Sequence, residues 1–137
     1  MQRIANSALV SQIQFKNGNT ARMTTTKTYD YLNRLLSISS SSSASASCSF
    51  SYSYNDTSQR VTSRLADGSY WVYLYDTLGQ VISGKKYFPD GTPVPGQQFE
   101  YAFDDIGNRT STKAGGDQNG ANLRSANYTA NNLNQYQ

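Results

Sequence analysis

One seven-residue pattern recurs along the chain and restricts it to a repeating β-fold. In Tyr75-Asp76-Thr77-Leu78-Gly79-Gln80-Val81 an aromatic and an acid are followed, three residues after the acid, by a glycine. The next residues restart an extended run. Near-copies occupy 29–35, 54–61, 103–109 and, in worn form, 130–136. Their starts at 29, 54, 75, 103 and 130 lie 25, 21, 28 and 27 residues apart. Self-similarity at such a period signals a repeat architecture, and that outranks any local reading.

Each position has a physical task. Asp30, Asp76 and Asp104 begin a reversal, because a carboxylate accepts hydrogen bonds from backbone N–H groups about two residues on. Asn55 and Asn131 can do the same with an amide oxygen. Asn33, Ser58, Gly79, Gly107 and Asn134 stand where a positive φ is expected. Leu32, Leu78, Ile106 and Leu133 are expected to plug the corner. Tyr29, Tyr54, Tyr75 and Phe103 end strands and are expected to pack ring on ring between repeats. Arg34, Arg60 and Arg109 are candidates to pair with the acid of an adjacent repeat. A catalytic acid would not tolerate Asn in its place within one chain; a turn does.

The segments between corners read as hairpins. Asn17-Gly18 and Asp67-Gly68 are tight-turn pairs. Residues 37–53 hold 11 Ser in 17 positions, which on composition suits a flexible linker. From Ala44 to Tyr54, however, small or aromatic residues alternate with Ser, which predicts a strand and a hairpin tip near Ser40 to Ser43. In the arm from Tyr70 to Tyr75, Tyr70, Val72 and Leu74 face one way and Trp71, Tyr73 and Tyr75 the other, so cover on both sides is expected. Further tips are expected at 89–96, which holds all three prolines, and at 115–120. The expectation is an all-β antiparallel meander of about eleven strands, each roughly 7–10 residues. It comprises an N-terminal segment, 1–11, and a repeat sheet, 12–137.

Leu, Ile, Val and Phe together number 24 of 137, too few for a thick aliphatic core. Eleven Tyr and one Trp argue instead for a thin sheet with an aromatic face. The net charge of +3 is dispersed, and Lys85-Lys86 reads as a solvated strand edge, not a nucleic-acid patch. With no His and a single Cys, nucleophile–base pairs and metal sites are hard to build, so no catalytic, metal or cofactor residue is assigned. Cys48 reads as a small packed residue, with an intermolecular disulfide as the alternative. Asp90 and Asp117, in Gly-rich tips, fit turn formation better than Ca²⁺ binding. No run suits a membrane span, and Met1 to Asn6 lack the apolar core of a signal peptide. Leu133 to Gln137 break off inside a repeat, so a piece of a longer chain, or a subunit completed by a neighbour, is expected.

Tyr29-Asp30-Tyr31-Leu32-Asn33-Arg34-Leu35, Tyr75 to Val81 and Phe103-Asp104-Asp105-Ile106-Gly107-Asn108-Arg109-Thr110 resemble the YD-repeat, or RHS-repeat, family. Its members include bacterial RHS proteins, shell components of insecticidal toxin complexes and animal teneurins. The resemblance covers about residues 12–137. It implies an extracellular protein whose hairpins form a curved or spiralling sheet, part of a shell that in toxin members encloses a cytotoxic domain. Five repeats are too few to close such a shell. The segment that carries self-cleaving aspartates in some members is absent, so no protease residue is transferred, and no toxin domain is present.

The expected function is therefore structural and non-catalytic: a segment of a β-sheet shell or a self-associating filament subunit, secreted or on a bacterial surface. The expected partners are neighbouring repeats or identical subunits through strand edges, and an enclosed toxin domain in a longer parent, with no nucleic acid. The alternative is a surface-binding module for carbohydrate or a protein partner, using Trp71, Tyr73, Tyr75 and Tyr101 as a contact face. Rings at strand spacing favour packing over display.

Overall fold

The computed structural model describes residues 1–131, 133 and 135–136, which contain eleven strands and no helix. The chain divides into two compact units, Met1–Gly68 and Ser69–Gln137. The first unit holds β1 (Gln2–Arg3), β2 (Val10–Asn17), β3 (Thr20–Tyr29), β4 (Leu35–Ser42), β5 (Cys48–Tyr54) and β6 (Arg60–Leu65). The second holds β7 (Tyr70–Tyr75), β8 (Val81–Tyr87), β9 (Pro93–Phe103), β10 (Arg109–Gly115) and β11 (Leu123–Asn127). Within each unit every strand pairs antiparallel with the one before it, giving a meander.

Cross-strand hydroxyl pairs recur through the first unit. Thr-rich β3 suits a pleated surface because β-branched side chains pack well there. Its neighbour β4 is the Ser-rich run, which is ladder and not linker. Thr25 bonds to Ser40 at 2.9 Å and Thr28 to Ser37 at 2.6 Å. Ser53 and Thr62 repeat the pairing between β5 and β6. The hairpin tip lies later than the alternation predicts. Ser40 to Ser42 belong to β4, the pairing with β5 ends at Cys48, and Ala44 and Ala46 are in the turn. The Ser42 hydroxyl accepts the Ala44 N–H at 3.1 Å, a local bond that competes with the ladder.

The second unit is aromatic. Tyr70 stacks on Tyr87 with centroids 5.5 Å apart, and Trp71 lies nearly parallel to Tyr73. Leu74, expected under cover, is 55% exposed. Among the described residues no hydrophobic side chain is buried; the buried ones are polar, and Gln98, at 1% exposure, is the most enclosed. Rings and aliphatic groups lie half-exposed on the strand faces, as the shortage of Leu, Ile, Val and Phe suggested.

Candidate functional site

The corners share one hydrogen-bonded bracket. At Asp30 the backbone N–H donates to the Arg34 carbonyl, and the Asn33 N–H returns to the Asp30 carbonyl, each at 3.0 Å. The same pair recurs at Asn55, Asp76 and Asp104, and the outer bond recurs at Asn131. The side chain locks it. Asp30 Oδ1 accepts from the N–H groups of Leu32 and Arg34, Asp76 Oδ1 from Leu78 and Gln80, and Asp104 Oδ1 from Ile106 and Asn108. Asn131 Oδ1 accepts from Leu133 and Gln135 in the same way, and Asn55 Oδ1 from Gln59. Asn33, Ser58, Gly79 and Gly107 have φ of 64°, 64°, 83° and 90°. Asn134 lies outside the described residues. In every copy the first residue pairs with the one six later: Tyr29 with Leu35, Tyr54 with Arg60, Tyr75 with Val81, Phe103 with Arg109, and Ala130 with Tyr136.

Successive corners are clasped in ways the sequence did not announce. Tyr54 donates its hydroxyl to the Leu35 carbonyl at 2.8 Å, and Tyr29 donates to Val10 at 3.1 Å. Tyr54 thus reaches the backbone of the preceding repeat, and Tyr29 that of the N-terminal segment. Arg34 forms its ion pair with Asp30 of its own corner at 2.6 Å, not with an adjacent acid. Its Nη1 then donates to the Asn55 carbonyl and the Ser58 hydroxyl, and its guanidinium lies 4.9 Å from the Tyr54 ring centroid. Arg60 and Arg109 lie over Tyr52 and Tyr101, at 4.1 and 5.1 Å. The third-position residues do not plug anything: Leu32, Leu78, Ile106 and Leu133 are 50%, 68%, 72% and 77% exposed. They stand in the turns, outside the strands.

Two tips use the same bracket. Phe88 N–H bonds to the Thr92 carbonyl and Gly91 N–H returns to Phe88; Asp117 and Ala121 with Gly120 repeat it. The signal was legible at one of them, since Asp117 and Gly120 keep the spacing of Asp76 and Gly79. At the other, Phe88 occupies the acid's place and hides it.

The turn bonds also set the acidity of the carboxyls. Hydrogen bonds from the Thr92 backbone and hydroxyl hold Asp90 below its usual range. The Asn108 amide and the turn N–H groups do so for Asp104, and the Asn119 and Ala121 N–H groups for Asp117. For Asp30, desolvation pushes upward, but Arg34 and the turn N–H groups together outweigh it. Glu100 is lowered first by its hydrogen bond from Lys85, at 2.7 Å, with Lys113 at 3.4 Å on its other oxygen. Lys85 is therefore paired within the sheet and is no strand edge. Cys48 is exposed, not packed.

Of the expected contact residues, Trp71, Tyr73 and Tyr101 line a shallow cavity of about 300 Å³; Tyr75 is not among its walls. Phe99 and Gly84, which the sequence reading missed, complete it with Val81. Their place follows from the register of β8 on β9, where Gly84 opposes Phe99.

No known family pattern and no curated protein matches the sequence. Solved structures do match. The chain superposes on a TcdB2-TccC3-Cdc42 crystal structure with a TM-score of 0.70 over 83% of its length, at 18% identity. It superposes on a TcdB2-TccC3-TEV crystal structure with a TM-score of 0.67, again over 83% and at 17% identity. It matches a Photorhabdus luminescens Tc holotoxin pore carrying a TccC3 point mutation with a TM-score of 0.70 over 91%, at 16% identity. The matched region is 6% of each of those chains. The chain thus has an RHS-like fold, that of a short stretch of these toxin-complex proteins.

Proposed function

We infer that this chain is a YD-repeat wall segment: a non-catalytic sheet that contributes surface, not chemistry, to a larger assembly. The carrying observation is the bracket itself. The same bonds form whether the acceptor is Asp30, Asn55, Asp104 or Asn131, and Arg34 and Tyr54 tie one corner to the next. Asp30, Asp76 and Asp104 each have Oδ1 committed to two turn amides, which suits a framework. The likeness to toxin-complex structures supports a structural role in an assembly of that kind. The reading makes the partners strand edges of further repeats or identical subunits, and, in a longer parent, an enclosed toxin domain. It places the assembly outside the cell or on a bacterial surface. No helix of the described residues is long and apolar enough to cross a membrane.

Electron microscopy of the purified chain tests this. Filaments support an assembling subunit, and hollow particles a shell. A dispersed monomer at all concentrations overturns the assembly reading.

A further inference from the structure

We propose that the aromatic face of the second unit is a binding site for an acidic oligosaccharide. The ladder register assembles it, because residues opposed across antiparallel strands share a face. One row runs Tyr73, Gly84, Phe99, Ala114, Arg124 across β7 to β11. A second places Lys86 opposite Trp71, and a third runs Tyr101, Thr112, Ala126. Large and small side chains alternate along the first row, which leaves gaps at Gly84 and Ala114.

Three rings make the floor. Trp71 lies 6.3 Å from Tyr73 at 7° and 6.1 Å from Phe99 at 24°. All are half-buried and border the 300 Å³ hollow. Apolar ring surface of that kind matches the C–H face of a pyranose ring. The backbone takes no part: β8, β9 and β10 are paired on both sides, so an extended peptide cannot add to the ladder here.

Charge selects an anion. Lys86 and exposed Arg124 lie in these rows, and Arg109 sits over Tyr101. No carboxylate stands in any of the three rows. Glu100 belongs to the opposite face, opposing Ser83 and Lys113, where it pairs with Lys85 and Lys113. The cations stand at separate points, Lys86 opposite Trp71, Arg124 at the end of the first row and Arg109 over Tyr101, where each can meet a carboxylate. The site does not depend on assembly, so its failure and that of the wall reading are separable.

Trp71 is the chain's one tryptophan, so its emission reads the platform directly. Titration of the full chain with a galacturonic-acid hexasaccharide is expected to give a saturable emission shift that weakens with salt. A neutral maltohexaose should bind at least about tenfold more weakly. Arg124→Gln and Lys86→Gln should each weaken the acidic ligand by about tenfold, the scale of a charge-assisted hydrogen bond, with unfolding midpoints unchanged. Equal affinity for the neutral sugar, affinity unchanged in both charge variants, tighter binding of an oligothymidylate, or no saturable shift would each overturn the assignment.

Discussion

Gly116→Ala tests whether the tip between β10 and β11 is held as tightly as its geometry indicates. Gly116 has φ of 90°, and a Cβ there would lie 2.9 Å from Gln98 Cγ and 3.2 Å from Gln98 Cβ. Gln98 cannot swing away freely. It is 1% exposed, and its Nε2 donates to the Lys86 carbonyl at 2.8 Å and the Val94 carbonyl at 3.2 Å. Positive φ costs a non-glycine residue about 1–2 kcal/mol. Displacing Gln98 adds about 1 kcal/mol for each hydrogen bond lost. The sum is about 2–4 kcal/mol, or a fall in Tm on the order of 10 °C for a domain of this size. Gly96→Ala is the control. Its φ is 77° with nothing within 4 Å of the added methyl, so only the backbone cost applies, about 1–2 kcal/mol. Urea unfolding followed by circular dichroism gives both values. Combining Gly116→Ala with Gln98→Ala removes the clashing Cγ, so the double variant should lose less than the sum of the singles. Equal losses at Gly96 and Gly116, together with additivity, would refute the reasoning.

Acid should destabilise the chain with a definite sign. Asp30, Asp90, Asp104, Asp117 and Glu100 all have lowered pKa, so their contribution is full above about pH 5 and lost as pH falls through the lower folded values. In hydrogen exchange across that window the Asn108 amide should lose protection before the Gln59 amide, whose acceptor Asn55 does not titrate; simultaneous loss would contradict this. Tyr54→Phe removes the bond to Leu35 and should cost about 1 kcal/mol in urea unfolding, against no change if the hydroxyl is idle. Glu100→Gln should cost only about 0–1 kcal/mol, because the carboxylate is a third exposed, and less still in high salt, checked by thermal melts at two ionic strengths. Gln80 holds the position equivalent to Arg34, and its buried Oε1 meets no donor among the described residues. Gln80→Arg should therefore raise stability by about 1 kcal/mol, and a loss on thermal melting would show that the clasp does not transfer.

The corners were legible because their demands are local. An acceptor, a positive φ and a return bond all fall within five residues, and Asn or Ser satisfies them where Asp or Gly is missing. What lies across the strands was not legible. The Tyr54 hydroxyl spans 19 residues to Leu35, and no period in the sequence marks its acceptor. Phe99 and Gly84 come together through a register that shifts between Lys85 and Tyr87, a bulge with no composition of its own. The exposure of Leu78 and Ile106 was misread for a different reason. Apolar type and even spacing show that a position recurs, but a plug needs a neighbour to fill, and that depends on what stands beyond the turn.

The residue four after the acid varies in how it ties one corner to the next. Asp30, Asn55, Asp76 and Asp104 make the same backbone turn and are interchangeable for it, and Asn131 shares its outer bond. Arg34, Gln59, Gln80, Asn108 and Gln135 are not equivalent. Arg34 answers its own Asp30 and reaches the following corner at Asn55 and Ser58. Gln59 bonds back to Asn55, and Asn108 to Asp104, so each strengthens its own bracket. Gln80 turns its amide toward Gly107 of the next corner, 3.8 Å from where a Cβ would stand, and leaves its carbonyl oxygen unanswered. Turn formation and corner-to-corner attachment therefore reside in different residues. The first can stay constant while the second varies, which lets successive hairpins differ in length, as the uneven 21 to 28 residue spacing requires, without loss of the fold.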